Sequence, residues 1–186
     1  HAETVVMWHG LARTGRDFDD IAAALSDRYR VLCPDTLGRG LSQWSPAPET
    51  EYAVSFYTRL AVAFVDALGV GTMRWLGTSM GAMIGTAAAA GPLKGRISHL
   101  VLNDMGPKIG DAALARIRAY AGSPAQFDRV SELETYFRMI YKPFGLLTDA
   151  QWRRLAETSV RRTDGGRVTP HYDPKIVMMF DHEAEL

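Results

Sequence analysis

Apolar residues recur along this chain with two alternating periods. Four short runs are bounded by Gly, Pro or Asp and read as strands: Thr4-Val5-Val6-Met7-Trp8, Tyr29-Arg30-Val31-Leu32-Cys33, Met73-Arg74-Trp75-Leu76 and Ile97-Ser98-His99-Leu100-Val101-Leu102. Between them the spacing changes to that of a helix. Phe18, Ile21, Ala22 and Leu25 stand at i, i+3, i+4 and i+7, which predicts an amphipathic helix with that face buried. Tyr57, Leu60, Ala61, Phe64, Val65 and Leu68 repeat the pattern more strongly, with Gly69 as a C-terminal stop. Strands separated by helices cannot be joined as hairpins, so they pair in parallel, and the fold class is α/β with a doubly wound, mostly parallel sheet. Ligands of such sheets bind beyond the carboxyl ends of the strands. Leu11, Asp35, Ser79 and Asp104 all follow strand ends, which places them around one crevice.

After Met105-Gly106-Pro107 the pattern predicts helices without strands. Asp111 to Tyr120 reads as a short helix ended by Gly122-Ser123-Pro124. Ser131-Glu132-Leu133-Glu134 and Thr148-Asp149-Ala150-Gln151 fit capping boxes, opening helices that run to about Tyr141 and about Val160. Thr163-Asp164-Gly165-Gly166 is a turn, and Pro170 and Pro174 interrupt the chain beyond it. The division is therefore a sheet-bearing part, residues 1–107, and a helical cap or lid, residues 108–186. Tyr136, Phe137, Met139, Tyr141, Phe144, Trp152, Met178, Met179 and Phe180 are expected mostly to pack this region, with some of them lining an apolar pocket above Ser79.

Composition narrows the classes. The chain has 186 residues and balanced charge, 21 basic against 21 acidic, so neither a nucleic-acid partner nor a polybasic membrane contact is indicated. Apolar content of 47% is enough for a core. No apolar run approaches the roughly 20 residues of a membrane span. The single cysteine, Cys33, lies in a strand and reads as a small buried residue. A cytoplasmic location is the expectation. Histidines and carboxylates show no metal-ligand spacing, and no metal or cofactor is expected.

The candidate chemistry begins at Gly77-Thr78-Ser79-Met80-Gly81. A G-x-S-x-G pentapeptide after a strand and before a small-faced helix (Gly81, Gly85, Ala87 to Ala90) describes a sharp turn with a serine at its apex, held in a strained conformation. Upstream, the first strand ends in His9-Gly10-Leu11. Acyl transfer through a serine needs two backbone amides aimed at the developing oxyanion, one from the residue after the nucleophile and one from the loop after an earlier strand. Met80 and Leu11 are the positions chosen for them. His9 reads as a structural brace of that loop rather than a catalytic base. In Asp35-Thr36-Leu37-Gly38-Arg39-Gly40-Leu41-Ser42 the glycine spacing suits a tight loop and not a phosphate cradle, and Asp35 is expected to tie that loop down.

Together these three stretches resemble the α/β-hydrolase superfamily, in its order and spacing, most closely over residues 4–107 and more loosely through the helical remainder, which is similar to the family's cap. Within it the chain looks most like the serine esterase, lactonase and C–C hydrolase group. Ser79 argues against epoxide hydrolase and haloalkane dehalogenase activities, which use an aspartate at the elbow. The resemblance implies a serine hydrolase acting through an acyl-enzyme on Ser79, with a small apolar carboxylic ester, lactone or related acyl compound as partner. A non-catalytic binding protein on the same fold is the alternative from another class, and C–C cleavage or perhydrolysis would use the same serine. In the family the triad continues with an acid and then a histidine after further strands. Asp104 is a candidate acid, whereas His171 and His182 lie in the cap-like region and His99 within a strand. The reading therefore expects a piece of a longer hydrolase, inactive alone, with the remaining triad members beyond Leu186 and with exposed sheet surface that makes residues 1–186 poorly soluble or partly molten.

Overall fold

The computed structural model describes residues 3–106 and 110–185. Strands β1 (Thr4–Trp8), β2 (Arg30–Leu32), β3 (Met73–Thr78) and β4 (Ile97–Asn103) form one four-stranded sheet in the order β2-β1-β3-β4, with every neighbouring pair parallel. Helices α1 (Asp19–Leu25), α2 (Pro48–Glu51), α3 (Val54–Ala67) and α4 (Met80–Ala90) supply the connections. The parallel α/β arrangement is thus as the sequence periods require.

The period of two in the strands sorts side chains to the two sheet faces. Val6, Trp8, Met73 and Trp75 face α3 and α4 and share a core with Tyr57, Ala61, Val65, Ile84 and Ala88. The Trp8 and Trp75 rings stack there, with centroids 5.1 Å apart. Small residues bring α4 close: a Cβ on Gly85 would collide with the Trp75 indole. On the other face Val5 and Met7 meet Phe18, and Leu25, Val31 and Leu76 pack at the margin.

That second face corrects two expectations. No residue of α1 is buried, and Ile21 is exposed. The helix has seven residues; its Asp19 and Asp20 pair with Arg154, and only Leu25 packs at the margin of the sheet face. The i, i+3, i+4 spacing identified the helix correctly but could not say what would cover it. Cys33 is half-buried rather than fully buried, and burial pushes its thiol up to about 11.

The junction expected at Pro107 lies outside the described residues. Beyond it come α5 (Asp111–Ala121), α6 (Val130–Ile140) and α7 (Asp149–Glu157). The Thr148 box is as expected, with the Thr148 amide donating to Gln151 Oε1 at 2.8 Å and the Gln151 amide to Thr148 Oγ1 at 3.3 Å. The other box is shifted. Glu132 Oε2 accepts from the amides of Asp128 and Arg129, so α6 starts before Ser131. The expectation of helices alone is also overturned, because β5 (Val160–Arg162) and β6 (Val168–Pro170) form an antiparallel hairpin around the Thr163–Gly166 turn. Each strand has three residues, too few to show alternation.

Leu133, Phe137, Tyr141, Trp152 and Ala156 make a small core of their own within this region. The 3₁₀ segment Pro174–Glu185 instead packs against α2, α3 and α5, where Ile176, Met179 and Phe180 join the main core with Tyr172 and Ala121.

Candidate active site

The site is built where β3 turns into α4. Ser79 stands at the turn with φ 50° and ψ −112°, a left-handed conformation that costs about 1–3 kcal/mol for a residue other than glycine. The neighbours explain how it is held. A Cβ on Gly77 would collide with the Gly81 carbonyl, and one on Gly81 with the Trp8 carbonyl. The Ser79 amide donates to Asn103 O at 2.9 Å, and the Trp75 indole N–H to Gly81 O at 3.0 Å. Among the described residues no hydrogen bond engages Ser79 Oγ, and the side chain does not cap α4.

The loop after β1 touches this turn. The position of a Cβ on Gly10 lies 3.8 Å from Ser79 Cβ and 3.8 Å from Thr78 O. Leu11, next along, is buried, as is Met80. Among the described residues neither the Leu11 nor the Met80 amide meets a backbone acceptor, the latter because it begins a helix. Met80 follows Ser79 in the chain, and Leu11 follows Gly10, which abuts Ser79.

His9 is fully buried with both ring nitrogens engaged. Its Nδ1–H donates to Gly10 O at 2.7 Å, while Nε2 accepts from the Thr36 amide at 2.9 Å. Burial, reinforced by the Arg39 charge, lowers its pKa to about 4, so the ring is neutral and serves as a brace. Asp35 acts likewise on its own loop, where Oδ1 accepts from the Gly15 amide at 2.7 Å and Oδ2 from Leu41 at 2.9 Å.

The sequence motifs do not single out Arg39. Its side chain is fully buried, and its described hydrogen bonds go to neutral acceptors. Nε donates to Leu11 O at 2.8 Å, one terminal nitrogen to Leu37 O and Tyr57 Oη at 2.6 Å each, and the other to Met80 Sδ at 3.3 Å. One guanidinium thus grips both Leu11 and Met80. Its charge, uncompensated by any of these partners, favours negative charge nearby. The fork geometry fixes the loop more firmly than a lysine could.

Asp104 follows β4 with φ 50°, a second strained residue at the same end of the sheet, and is exposed. Together with Thr78, Asn103, Pro143, Phe144 and Leu155 it lines a cavity of about 500 Å³. Of the aromatic residues expected above Ser79, Phe144 is the one lining this cavity, whereas Phe137, Tyr141 and Trp152 are buried in the small helical core. No described histidine hydrogen-bonds to Ser79. His182 Nε2 is 2.8 Å from Glu49 O, and His99 Nδ1 is 3.2 Å from Ser98 Oγ. His171 is half-buried, and burial with the nearby Arg161 charge lowers its pKa. No group of three or more potential metal ligands occurs among the described residues.

A parallel sheet that delivers a strained serine to its carboxyl edge is the scaffold of an α/β hydrolase. The sequence profile described as alpha/beta hydrolase fold matches residues 3–150, and the chain belongs to that family. A 3-hydroxybutyrate-oligomer hydrolase of Cupriavidus necator is 43% identical over 95% of this chain and 60% of its own length. A 2-(acetamidomethylene)succinate hydrolase of Mesorhizobium japonicum is 28% identical over 87% of this chain and 56% of its own. A crystal structure from Rickettsia typhi superimposes with a TM-score of 0.90 at 32% identity, covering 95% of this chain and 62% of that one. The chain spans about 60% of the length of such relatives.

Proposed function

We propose that Ser79 is the nucleophile of a carboxylic-ester hydrolase and that the Leu11 and Met80 amides form its oxyanion hole. The observation that carries this is the left-handed Ser79 with an unengaged Oγ, followed by the unspent Met80 amide and abutted by the loop that carries the Leu11 amide. Oγ attacks the ester carbonyl carbon as its proton passes to a base. The carbonyl π electrons move onto oxygen, which both amides and the Arg39 charge stabilise. Collapse expels the alcohol, which takes up that proton, and leaves an acyl-serine. Water then repeats the sequence and frees the acid. With His9 spent as a brace and no described histidine at Ser79, the base comes from outside the described residues.

The likeness to the Cupriavidus necator protein, at 43% identity, supports a hydroxyacid oligoester as substrate. The test is fluorophosphonate labelling of the full-length protein, with Ser79→Ala as control, alongside release of 3-hydroxybutyrate from its trimer. Labelling at Ser79 with trimer hydrolysis is expected. A well-folded full-length protein that never labels would move the binding-protein reading ahead.

A further inference from the structure

A second cavity, a groove of about 830 Å³, lies between α5 and α6. Arg116 and Tyr120 enter it from one helix and Tyr136 and Met139 from the other, with Lys142 and Pro143 closing one end. Pro143 also lines the cavity at the ends of β3 and β4, so the two share a wall. The groove therefore meets, at Pro143, the cavity that Thr78, Asn103 and Asp104 line.

Its lining combines aromatic and thioether surface with two cations and contains no acidic side chain. Arg118, Arg138, Arg154 and Arg167 each bridge to a carboxylate. Arg116 and Lys142 make no ion pair with a described carboxylate and instead border a groove. Met139 is exposed there. Such a surface suits a ligand with an apolar body and an anionic end. Rings and thioether take methyl and methylene groups, and a guanidinium takes a carboxylate through two parallel hydrogen bonds. The volume falls within the roughly 300–1,000 Å³ of small-molecule sites.

We propose that this groove binds the free carboxylate end of a linear hydroxyacid oligoester, with Arg116 and Lys142 holding the carboxylate and Tyr120, Tyr136 and Met139 the chain. The proposal rests on the reading of Ser79 as an ester-cleaving nucleophile and adds what that reading leaves open, how the substrate's acid end is recognised. An ester linkage further along the oligomer then lies past Pro143, in the cavity lined by Thr78, the residue before Ser79. The groove should accordingly select free-acid oligomers over capped ones.

The test compares 3-hydroxybutyrate trimer with its methyl ester in the full-length protein. Arg116→Ala with Lys142→Ala is expected to raise KM for the free acid about tenfold, the equivalent of one moderate charge-assisted contact, with kcat unchanged. The methyl ester should be insensitive to the substitutions, and added salt should weaken only the free acid. Calorimetric binding of both trimers to the Ser79→Ala protein reports the groove without chemistry. Equal affinity for acid and methyl ester, or an unchanged Kd in the double variant, overturns the proposal. So does a dimer that the double variant dissociates while Kd stays fixed, since a second copy would then fill the groove. Charge-dependent trimer binding without any hydrolysis by the unsubstituted protein would support the groove and reject the nucleophile reading instead.

Discussion

At the residue scale, Arg39 and His9 make separable contributions to the same loop. Arg39 holds the Leu11 carbonyl and the Met80 sulfur, so losing its fork should disturb the proposed oxyanion amides more than substrate binding. Arg39→Met in the full-length protein is expected to lower kcat at least about tenfold with little change in KM, as for a group whose effect appears only in the transition state. It should also destabilise by about 1–3 kcal/mol, because buried acceptors lose their donor. Arg39→Lys should recover part of the stability and less of the rate. Equal loss of KM and kcat across ester substrates would assign Arg39 to ground-state binding. His9 predicts a pH effect. Its folded pKa of about 4 lies below the ordinary histidine value, so the unfolded chain binds the extra proton first. Stability is therefore retained above about pH 6.5 and lost as the pH falls toward 4, by about 3 kcal/mol in all. His9→Asn removes this titration, and thermal melts between pH 7.5 and 4.5 should show a shallower fall in Tm than the parent; identical slopes would place the acid sensitivity elsewhere.

Elements differ in how far the sequence alone makes them legible. β1, β3 and β4 are legible because each is an apolar run closed by Gly or Asp, and the serine turn because its steric demands lie within Gly77 to Gly81. The β5–β6 hairpin is not, since its pairing rests on Phe127 meeting Val168 across a long separation as much as on local residues. The exposure of α1 escapes the sequence for a related reason: periodicity reports which face is apolar, not whether a neighbour arrives to cover it. Arg39 is illegible because its partners come from the β1 loop, α3 and α4, and a lone arginine between two glycines looks like any exposed loop residue. Caps, by contrast, are local. Thr148 and Gln151 satisfy each other's amides, so Thr148→Ala should cost about 1 kcal/mol. The loss should register as faster amide exchange in the first turn of α7, with β3 and α4 unaffected. Uniform exchange throughout the chain would show instead that α7 and the sheet unfold as one unit.

For the whole molecule the unequal sheet faces set solution behaviour. Parallel sheets are ordinarily covered on both faces, and open edges invite pairing with another chain. Here β4 is an edge among the described residues, with Val101 at 52% and Leu102 at 47% relative exposure, and Ile21 adds apolar surface on α1. Main-chain donors and acceptors along β4 and two adjacent apolar side chains together make a template for association. Residues 1–186 expressed alone are therefore expected to self-associate at micromolar concentration and to bind a hydrophobic dye. Leu102→Lys places a charge on that edge and should shift the population toward monomer, read by light scattering after size exclusion, with the far-UV spectrum unchanged. The buried core of Trp8, Trp75 and Tyr57 is untouched by that change, so any loss of cooperativity would have to come from the edge itself. A monodisperse monomer with a sharp thermal transition before substitution would show that α3 and α4 on one face suffice to stabilise the sheet, and that β4 needs no cover to stay ordered.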